Sequence, residues 1–451
     1  MIAKTGQRSA VHEPEQVLAR YAYAVTSRRP PIRLSSAIIA VALLITIIAV
    51  ACQEEDGNGQ PTTPGAQQGE ATDERPTSTP RGMNPPSIGE AFDCALPIVE
   101  GGPAQRGLPE DVTCQPLPDG YRIEVYATGL RRPVAMAFTP DGRLFVTEQH
   151  TGNIRLVVDG ELLPQPFATV ERLFISHEAG LLGIAVDPDF ENNHYIYVFY
   201  NAIELFPREH FNKVVRYTEV DGIGTDPLEI LPDLPGITRE IHTAGNIHFG
   251  PDGKLYISLG ELERSGDVQD LSLLPGKILR VNPDGSVPED NPFFGDSDAD
   301  PRIYAYGLRN AFDFGFHPET GMMFATENGP STDEINRIVP GGNYGWPDAI
   351  GPSDDPDFID PFIFYDRPIG PAGASFYSGD KLTEYKNNFF FCQFHGGGLL
   401  HRVQLANGDE AVASDDLISG GCTSDVSEGT DGYLYFIDII NGIIYRITDG
   451  G

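Results

Sequence analysis

The stretch FGPDGKLYISLGE, residues 249–261, contains the local pattern that decides the fold. A Pro-Asp-Gly turn follows an apolar residue and leads into a run in which apolar and polar side chains alternate. Asp-Gly beside alternating hydrophobic residues is typical of a β-hairpin. Two histidines, His242 and His248, come just before the turn. The hairpin therefore raises a question about chemistry as well as about fold.

The same unit recurs along the chain. An apolar residue, a turn and an alternating strand return at residues 138–157, 186–200, 316–339, 387–405 and 428–448. Six such units, each the inner part of a blade, predict an all-β fold, namely a six-bladed β-propeller of four-stranded antiparallel blades. Residues 121–130 and the last strand are expected to share a blade and so close the ring. A β-sandwich or two β-domains is the alternative, which the recurring motif disfavours.

The charge balance argues against some classes of partner. The 451 residues include 65 Asp and Glu against 31 Lys and Arg, a formal net charge of −34. Binding to nucleic acid or to an anionic membrane surface needs a basic face, so the chain is not expected to bind nucleic acid. The 50 glycines and 38 prolines favour many turns over long helices.

Residues 1–52 predict an export signal. Positive charges precede the apolar run LSSAIIAVALLITIIAVAC, residues 34–52, which ends in small residues before Cys52. The AVAC ending resembles a bacterial lipoprotein signal, in which Cys52 is lipidated and becomes the mature N-terminus. A plain transmembrane anchor is the alternative, although the run is short for a span of about 20 residues. Both interpretations place the rest of the chain outside the cytoplasm.

Composition also divides the remainder. Residues 53–90 are rich in Pro, Gly, Thr and Gln and contain little to bury, so they predict a disordered tether. Residues 91–120 are expected to form a disulfide-closed N-terminal segment, and residues 121–451 the propeller. An even number of cysteines remains after Cys52, as expected for disulfides in an exported chain. The expected pairs are Cys94–Cys114 and Cys392–Cys422.

In propellers, the turns after the innermost strands gather around the central channel. We therefore expect chemical residues at or beside the repeated turns. The sequence contains neither a Gly-rich phosphate loop nor a His-Glu-x-x-His zinc helix. The acidic run DSDAD, residues 296–300, lacks the EF-hand pattern and is interpreted as a solvated loop. Four other segments stand out, at residues 176–190, 239–261, 276–321 and 327–347.

Taken in order, these four segments resemble the soluble glucose/sorbosone dehydrogenase family, the aldose sugar dehydrogenases. The resemblance is continuous from about residue 121 to residue 347 and weaker beyond. Members of that family are six-bladed propellers that use pyrroloquinoline quinone (PQQ) and calcium. The resemblance implies an oxidoreductase that converts aldose sugars to lactones at the anomeric carbon and passes electrons to an acceptor of the respiratory chain.

Such a reaction needs a base and a hydride acceptor. No side chain accepts a hydride, so a cofactor is required, whereas a histidine suits proton removal near neutral pH. His242 matches the family's general base, with a structural, channel-lining histidine as the alternative. His248 is interpreted as part of the scaffold. Glu178 falls where the family places a polar contact to the sugar, with a solvated loop acid as the alternative.

The resemblance also implies the cofactor contacts. Arg309 and Asn310 match the pair that contacts the quinone, where an arginine stabilises negative charge during reduction. An Arg–Asp bridge between two blades is the alternative for Arg309. Gly329 and Pro330 match positions whose backbone carbonyls hold the cofactor's calcium, an ion that prefers oxygen ligands. A second, structural calcium is implied by Glu334, the Tyr344 carbonyl and Asp354.

The match fails where the family clamps the acidic quinone with cations from the last two blades. In the fifth blade, CQFHGGGLLHRV (392–403) has glycines where a lysine is expected, and His395 is the nearest substitute. In the last blade, Cys422 and Ser424 stand where arginines are expected. Fewer cations weaken the binding of a polycarboxylate. Ile241 also replaces an acid that would orient the imidazole of His242.

Three hypotheses remain. The first is an exported quinoprotein that oxidises sugars. The second is a non-catalytic propeller that binds carbohydrate or protein at its central face, which would explain the missing clamp. The third is a calcium-dependent hydrolase such as a lactonase, which the fold alone does not exclude.

Overall fold

Antiparallel strands account for almost all of the regular structure in the computed structural model, which describes residues 117–205, 208–237, 241–408 and 410–450. The predicted export signal, the tether and Cys52, Cys94 and Cys114 lie outside the described residues, so these expectations stay predictions. None of the helices in the described ranges has the length and apolar character needed to cross a bilayer.

The strands form six sheets, taken here as blades 1 to 6 in chain order. The first strand of the chain is β1 (Arg122–Ala127). Blade 1 contains β2 (Pro133–Phe138), β3 (Leu144–Glu148), β4 (Asn153–Val158), β5 (Glu161–Leu162) and β6 (Ala168–Thr169), which also pairs with β4. Blade 2 contains β7 (Leu181–Val186), the short helix α1 (Phe190–Asn193), β8 (Tyr195–Leu205), β9 (Arg208–Val220) and β10 (Ile223–Pro235). Blade 3 contains β11 (Ala244–Phe249), β12 (Leu255–Leu259), β13 (Lys277–Val281) and β14 (Ile303–Tyr306).

The second half of the chain repeats this order. Blade 4 contains β15 (Ala311–Phe316), β16 (Met323–Asn328), β17 (Asp333–Ile338) and β18 (Ile363–Tyr365). Blade 5 contains β19 (Pro371–Phe376), β20 (Phe389–Gln393), β21 (Leu399–Ala406) and β22 (Glu410–Ser419). Blade 6 contains β23 (Val426–Glu428), β24 (Leu434–Asp438) and β25 (Ile443–Thr448). Single 3₁₀ turns lie at Ser265–Asp267, Thr383–Tyr385 and His395–Gly397.

The ring closes through the first strand of the chain. β1 pairs antiparallel with β25, with Arg122 opposite Thr448, and so becomes the outermost strand of blade 6. The innermost strands of consecutive blades pack against one another, and β23 packs against β2. The predicted six-bladed propeller, with its shared closing blade, is confirmed. Each of the six predicted units lies in a different blade and contains its second strand rather than its innermost one, and four of them also contain the third strand.

Burial explains why the inner strands are so apolar. All five residues of β12 are buried, because each blade is covered on both faces by its neighbours. On one face Ile257 packs in a cluster with Phe199 of blade 2. On the other face Tyr256 packs with Phe314 of blade 4. A strand of this kind buries both of its alternating sets of side chains.

One predicted disulfide is present. Cys392 in β20 is bonded to Cys422, which lies four residues before β23. Both side chains are fully buried. The bond joins blade 5 to the segment that enters blade 6, as the sequence predicted.

The direction of the strands decides which end of the ring carries chemistry. In an antiparallel pair, the residue before the first strand and the residue after the second lie at the same end. His242 precedes β11 and Glu261 follows β12, whereas the turn at 251–253 joins these strands at the other end. The expectation that chemical residues gather at the repeated Asp-Gly turns is therefore wrong. They gather at the opposite end of the blades.

Candidate active site

All six blades contribute to a single cavity at this end of the ring. The cavity has a volume of about 380 Å³. Its walls come mainly from the segment before each innermost strand and the segment after each second strand. One lining residue from each blade in turn is Arg132, Glu178, Thr243, Asn310, Pro371 and Ser424. Convergence from every blade follows from the six-fold repeat of the same strand-and-loop unit.

His242 lies beside this cavity with both ring nitrogens engaged. Its Nδ1 is 2.7 Å from Oε1 of Glu261, and its Nε2 is 2.7 Å from Nη2 of Arg309. A guanidinium can only donate, so Nε2 accepts and Nδ1 carries the hydrogen. The side chain is 12% exposed. The lone pair of Nε2 therefore lies on the side of the ring that faces Arg309.

Glu261 is the acid that the sequence analysis did not identify. Its Oε1 accepts from His242, and its Oε2 accepts from the indole N–H of Trp346 at 2.7 Å. Burial acts to raise the pKa of this carboxyl, but the hydrogen bonds from His242 and Trp346 outweigh it and lower the pKa overall. Ile241 stands before His242, where the resemblance leads one to expect an acid. In this chain Glu261, at the end of the next strand, places an acid beside the imidazole instead.

Arg309 connects the base to blade 4. Its Nη1 donates to the carbonyl of Asn328 at 2.8 Å, and its guanidinium lies 5.5 Å from the Trp346 ring centroid. The closest carboxylate contact is to Glu261, with Nε 3.9 Å from Oε1. Within the described ranges Arg309 forms no ion pair with an aspartate, so the inter-blade Arg–Asp bridge is not observed.

Asn310 is held rigidly in the cavity wall. Its side chain is buried, and its Oδ1 accepts from the backbone N–H of Ala244 at 3.0 Å. The backbone N–H groups of Arg309 and Asn310 both donate to Oε1 of Glu327, at 2.6 and 3.0 Å. One buried carboxylate therefore fixes the start of β15, where the two predicted cofactor residues stand.

Glu178 lines the cavity but is partly committed to the scaffold. Its Oε2 accepts from the backbone N–H of His242 at 2.6 Å. Its carbonyl accepts from the side-chain amide of Gln149 at 2.8 Å. The carboxylate therefore positions the segment that carries His242.

A second, small cavity of about 20 Å³ lies next to Arg309 and Trp346. It brings together four of the five predicted calcium residues, namely Gly329, Pro330, Glu334 and Tyr344. Asp354 is exposed and is not among the lining residues. The sequence analysis assigned two separate calcium sites, whereas the structure places these four residues around one cavity.

Unpartnered oxygens in this small cavity suit a cation. Oε2 of Glu327 and Oδ1 of Asn336 are buried, and neither has a hydrogen-bond partner among the described residues. Burial raises the pKa of Glu327 to about 8, despite the two backbone N–H groups that it accepts. Calcium binds carboxylate, amide and carbonyl oxygens. No cluster of three or more His, Cys, Asp or Glu residues in the described ranges suits a metal, so a cation here needs backbone and amide oxygens as well.

At the positions in blades 5 and 6 where the family has cations, this chain has one imidazole, that of His395, and neither lysine nor arginine. Cys422 forms the disulfide with Cys392, and the hydroxyl of Ser424 donates to the Val134 carbonyl at 2.6 Å. His395 lies in the cavity wall next to Gly370. The departure that the sequence indicates is therefore present in the folded site.

Comparison with known proteins assigns the family. Residues 130–446 match the Glucose / Sorbosone dehydrogenase family, and the chain belongs to it. It is 29% identical over 352 residues to aldose sugar dehydrogenase YliI of Escherichia coli strain K12, covering 73% of this chain and 94% of that protein. The PQQ-bound structure of an aldose sugar dehydrogenase from Streptomyces coelicolor superposes with a TM-score of 0.63 at 28% identity, over 74% of this chain and 99% of that one.

A relative of another kind also matches. The chain is 29% identical over 215 residues to the Hedgehog-interacting protein of Mus musculus, covering 42% of this chain and 30% of that protein. The family and the fold class that the sequence predicts are both confirmed. The family supports an oxidoreductase with a sugar dehydrogenase fold and PQQ as its cofactor.

Proposed function

We propose that the protein oxidises aldose sugars to lactones at the anomeric carbon, using PQQ bound with calcium. The observation that carries the proposal is the hydrogen-bonded series Glu261–His242–Arg309 beside the central cavity. The family membership and the sugar dehydrogenase relatives support the same class of reaction.

His242 is the general base in this proposal. Its Nε2 accepts the proton of the anomeric hydroxyl, after the sugar has displaced the hydrogen bond from Arg309. The imidazolium that forms stays paired with Glu261 through Nδ1–H, which lowers the cost of charging the ring. Arg309 remains anchored by the Asn328 carbonyl and is close enough to hold the substrate oxygen. Glu178 contributes its second oxygen to the sugar.

Arg309, Asn310, Gly329 and Pro330 suit the cofactor, whereas the clamp positions of blades 5 and 6 offer it no arginine or lysine. PQQ supplies a two-electron acceptor for the hydride when it is bound. Arg309 and Asn310 would contact it, and the carbonyls of Gly329 and Pro330 would share a calcium ion with it. A side chain at 329 would collide with the Thr332 carbonyl, so this tight turn requires glycine. Glu334 and Tyr344 line the same small cavity as Gly329 and Pro330, whereas Asp354 does not, so we propose a single calcium there.

The remaining predictions concern location. We propose that residues 1–52 direct export, that Cys52 carries the lipid anchor, and that residues 53–90 tether the propeller outside the cytoplasm. Electrons then pass from the site to an acceptor of the respiratory chain. A disulfide such as Cys392–Cys422 is stable in an oxidising compartment, which supports this location.

A non-catalytic propeller is the second candidate. Two observations favour it, namely the lack of arginine and lysine at the clamp positions of blades 5 and 6 and the similarity to the Hedgehog-interacting protein. In this case the central face binds carbohydrate or protein without chemistry.

One experiment separates the two candidates. The purified full-length chain is titrated with PQQ in the presence of calcium, and binding is followed through Trp346, the only tryptophan of the sequence. Dye reduction is then measured with a panel of aldoses, before and after chelation of calcium. Micromolar quinone binding with dye reduction supports the enzyme, and its absence rejects it. The His242→Ala variant should lose turnover and retain quinone binding; unchanged turnover would remove His242 from the mechanism.

A further inference from the structure

The charge of the central cavity is opposite to that of the chain. The sequence has about two acids for every Lys or Arg, 65 against 31. Among the described residues that line the cavity, Glu178 is the only acid, whereas Arg132, His150, His177 and His395 are basic. The carboxylate of Glu178 is hydrogen-bonded to His242. The cavity is therefore built for a ligand more acidic than a neutral sugar.

Arg132 is the arginine among the described residues that line the central cavity. It precedes β2, and its Nε and Nη2 both donate to Oε1 of Gln149, at 3.1 and 2.9 Å. Gln149 is buried and in turn donates to the Glu178 carbonyl. This arrangement orients the guanidinium and leaves Nη1 without a partner among the described residues. A pre-oriented guanidinium loses little freedom when it binds a carboxylate.

Arg132 also has a backbone conformation that is uncommon for a residue with a side chain. Its φ is 50°, in the left-handed region that costs a non-glycine residue about 1 kcal/mol or more. Residues held in this way concentrate at binding sites. The conformation belongs to the same segment that brings the guanidinium to the cavity.

One imidazole that lines the cavity, that of His395, has donor capacity to spare. Nε2 of His150, in the segment after β3, has no partner among the described residues but is itself buried, and burial and the charge of Arg132 lower the pKa of this ring, so His150 is not counted as a donor to a ligand. His395, after β20, packs its ring against Gly370, and the described residues offer its ring nitrogens no hydrogen bond. By contrast, the hydroxyls of Thr423 and Ser424 in blade 6 are already bonded to backbone groups. The side-chain donors that line the cavity without a partner among the described residues therefore belong to blades 1 and 5.

The placement of these donors suits a flat ligand. In a ring of six blades, blade 1 lies opposite blade 4. Arg132 therefore faces Asn310 and Asn328, which line the cavity from blade 4. An acidic ring system that contacts blade 4 at one end presents its other end to the wall of blade 1.

We propose that Arg132 and His395 form a carboxylate-binding wall, and that the carboxylates it holds are those of the acidic quinone. This wall replaces the cations that relatives are expected to supply from their last two blades. The proposal rests on the proposed function for the identity of its ligand. The existence of the wall is independent of that function.

The test measures equilibrium binding to the full-length chain with calcium, for wild type, Arg132→Ala and Arg131→Ala. Arg131 is the matched control, since it is the neighbouring exposed arginine and does not line the cavity. PQQ binding is followed by Trp346 fluorescence. A second ligand, benzene-1,3,5-tricarboxylate, is flat and acidic but cannot be reduced as a quinone, and its binding is followed by calorimetry.

We expect Arg132→Ala to weaken PQQ about 10- to 100-fold, the range for a lost charge-assisted hydrogen bond, and to weaken the tricarboxylate as well. Arg131→Ala should leave both affinities within about twofold, since surface substitutions have small effects. His395→Gln should produce a smaller loss. Equal melting temperatures show that the variants are folded.

The outcomes distinguish the existence of the carboxylate-binding wall from the identity of its ligand. Equal affinities for Arg132→Ala and Arg131→Ala with both ligands would overturn the wall and leave the dehydrogenase function standing. Arg132-dependent binding of the tricarboxylate without binding of PQQ would overturn the dehydrogenase function and support the wall.

Discussion

Nδ1 of His242 lies 2.7 Å from Oε1 of Glu261, although the two residues are 19 positions apart in the sequence. His242 stands just before the innermost strand of blade 3, and Glu261 follows the second strand of the same blade. The pair is continued by Trp346 on the acid and by Arg309 on the base. Glu261 therefore defines the tautomer of the candidate base and balances its charge when it gains a proton.

The first prediction concerns this acid. Glu261→Gln keeps the size of the side chain and removes its charge, so the imidazolium of His242 loses its counter-charge during turnover. General base catalysis contributes about 10²- to 10⁴-fold, and we expect the turnover number to fall by at least about 10-fold, with PQQ affinity nearly unchanged. Steady-state dye reduction and the Trp346 fluorescence titration measure the two quantities.

The control is the double variant His242→Ala with Glu261→Gln. Residues that act as one unit have non-additive effects, so the double variant should be no slower than His242→Ala alone. A further large loss in the double variant, or full turnover in Glu261→Gln, would show that the carboxylate does not act through His242.

Local sequence signals were enough for the architecture. The Asp-Gly hairpins recur with the same alternation in each blade, and the closing strand carries the same pattern, so six blades and their closure could be predicted. The Cys392–Cys422 bond could also be predicted, because these cysteines lie in the last two units. Each of these features depends on a short stretch of chain and on its repetition.

Glu261 was missed because a single bulge decides its position. Ile247 pairs with Ile257, whereas Ala244 pairs with Leu259, so β11 contains one extra residue between them. The bulge is accompanied by a φ of 101° at Gly245. Without it, regular pairing would place Leu262 rather than Glu261 beside His242. A bulge shifts the register by one residue, and the sequence alone does not fix where it falls.

The predicted calcium ligands show a different limit. Gly329, Pro330, Glu334 and Tyr344 converge on one small cavity, but Asp354 lies in an exposed loop. The resemblance to the family assigned all five, yet it carries no information on how the loop after Tyr344 folds in this chain. Glu327 and Asn336, whose buried oxygens point to a cation, carry no motif of their own.

The second prediction concerns the disulfide. Replacing Cys392 and Cys422 by alanine removes a cross-link that closes a loop with a sequence separation of 30. Loop-closure entropy gives a loss of about 3–4 kcal/mol in the free energy of unfolding. Denaturant titration under oxidising conditions measures the loss. Reductant should destabilise the wild type by a similar amount, and any effect that it has on the double variant belongs to the other cysteines. A stability loss below about 1 kcal/mol would show that the bond adds little to the closure of blade 5 on blade 6.

The third prediction concerns the hydrogen bonds that link neighbouring blades. Nε2 of His248 lies 2.7 Å from Oδ1 of Asp313, whose Oδ2 accepts from the backbone N–H of Ala374. Oδ2 of Asp425 accepts from the backbone N–H of Met136. These contacts join blade 3 to blade 4, blade 4 to blade 5 and blade 6 to blade 1. His248 thus belongs to the scaffold, as the sequence analysis interpreted it.

Burial of the ring acts to lower the pKa of His248, but the Asp313 carboxylate outweighs it and raises the pKa overall. Burial, together with the charge of Asp313, raises the pKa of Asp425 well above its ordinary value. A histidine with a raised pKa stabilises the fold below its unfolded pKa of about 6.5, and the contribution is lost as the pH rises through the folded value. The raised pKa of Asp425 acts in the same direction, because its protonated form is favoured in the folded state.

We therefore expect His248→Gln to lower the melting temperature more at pH 5.5 than at pH 8.5, by about 2 °C or more at the lower pH. Differential scanning calorimetry on both proteins at the two pH values measures this, and the difference between the proteins cancels groups that titrate in both. His177→Gln is the control, because the His177 ring is exposed and makes no hydrogen bond with the described residues. An equal loss for His248→Gln at both values would mean that the His248–Asp313 contact does not depend on the charge of the ring.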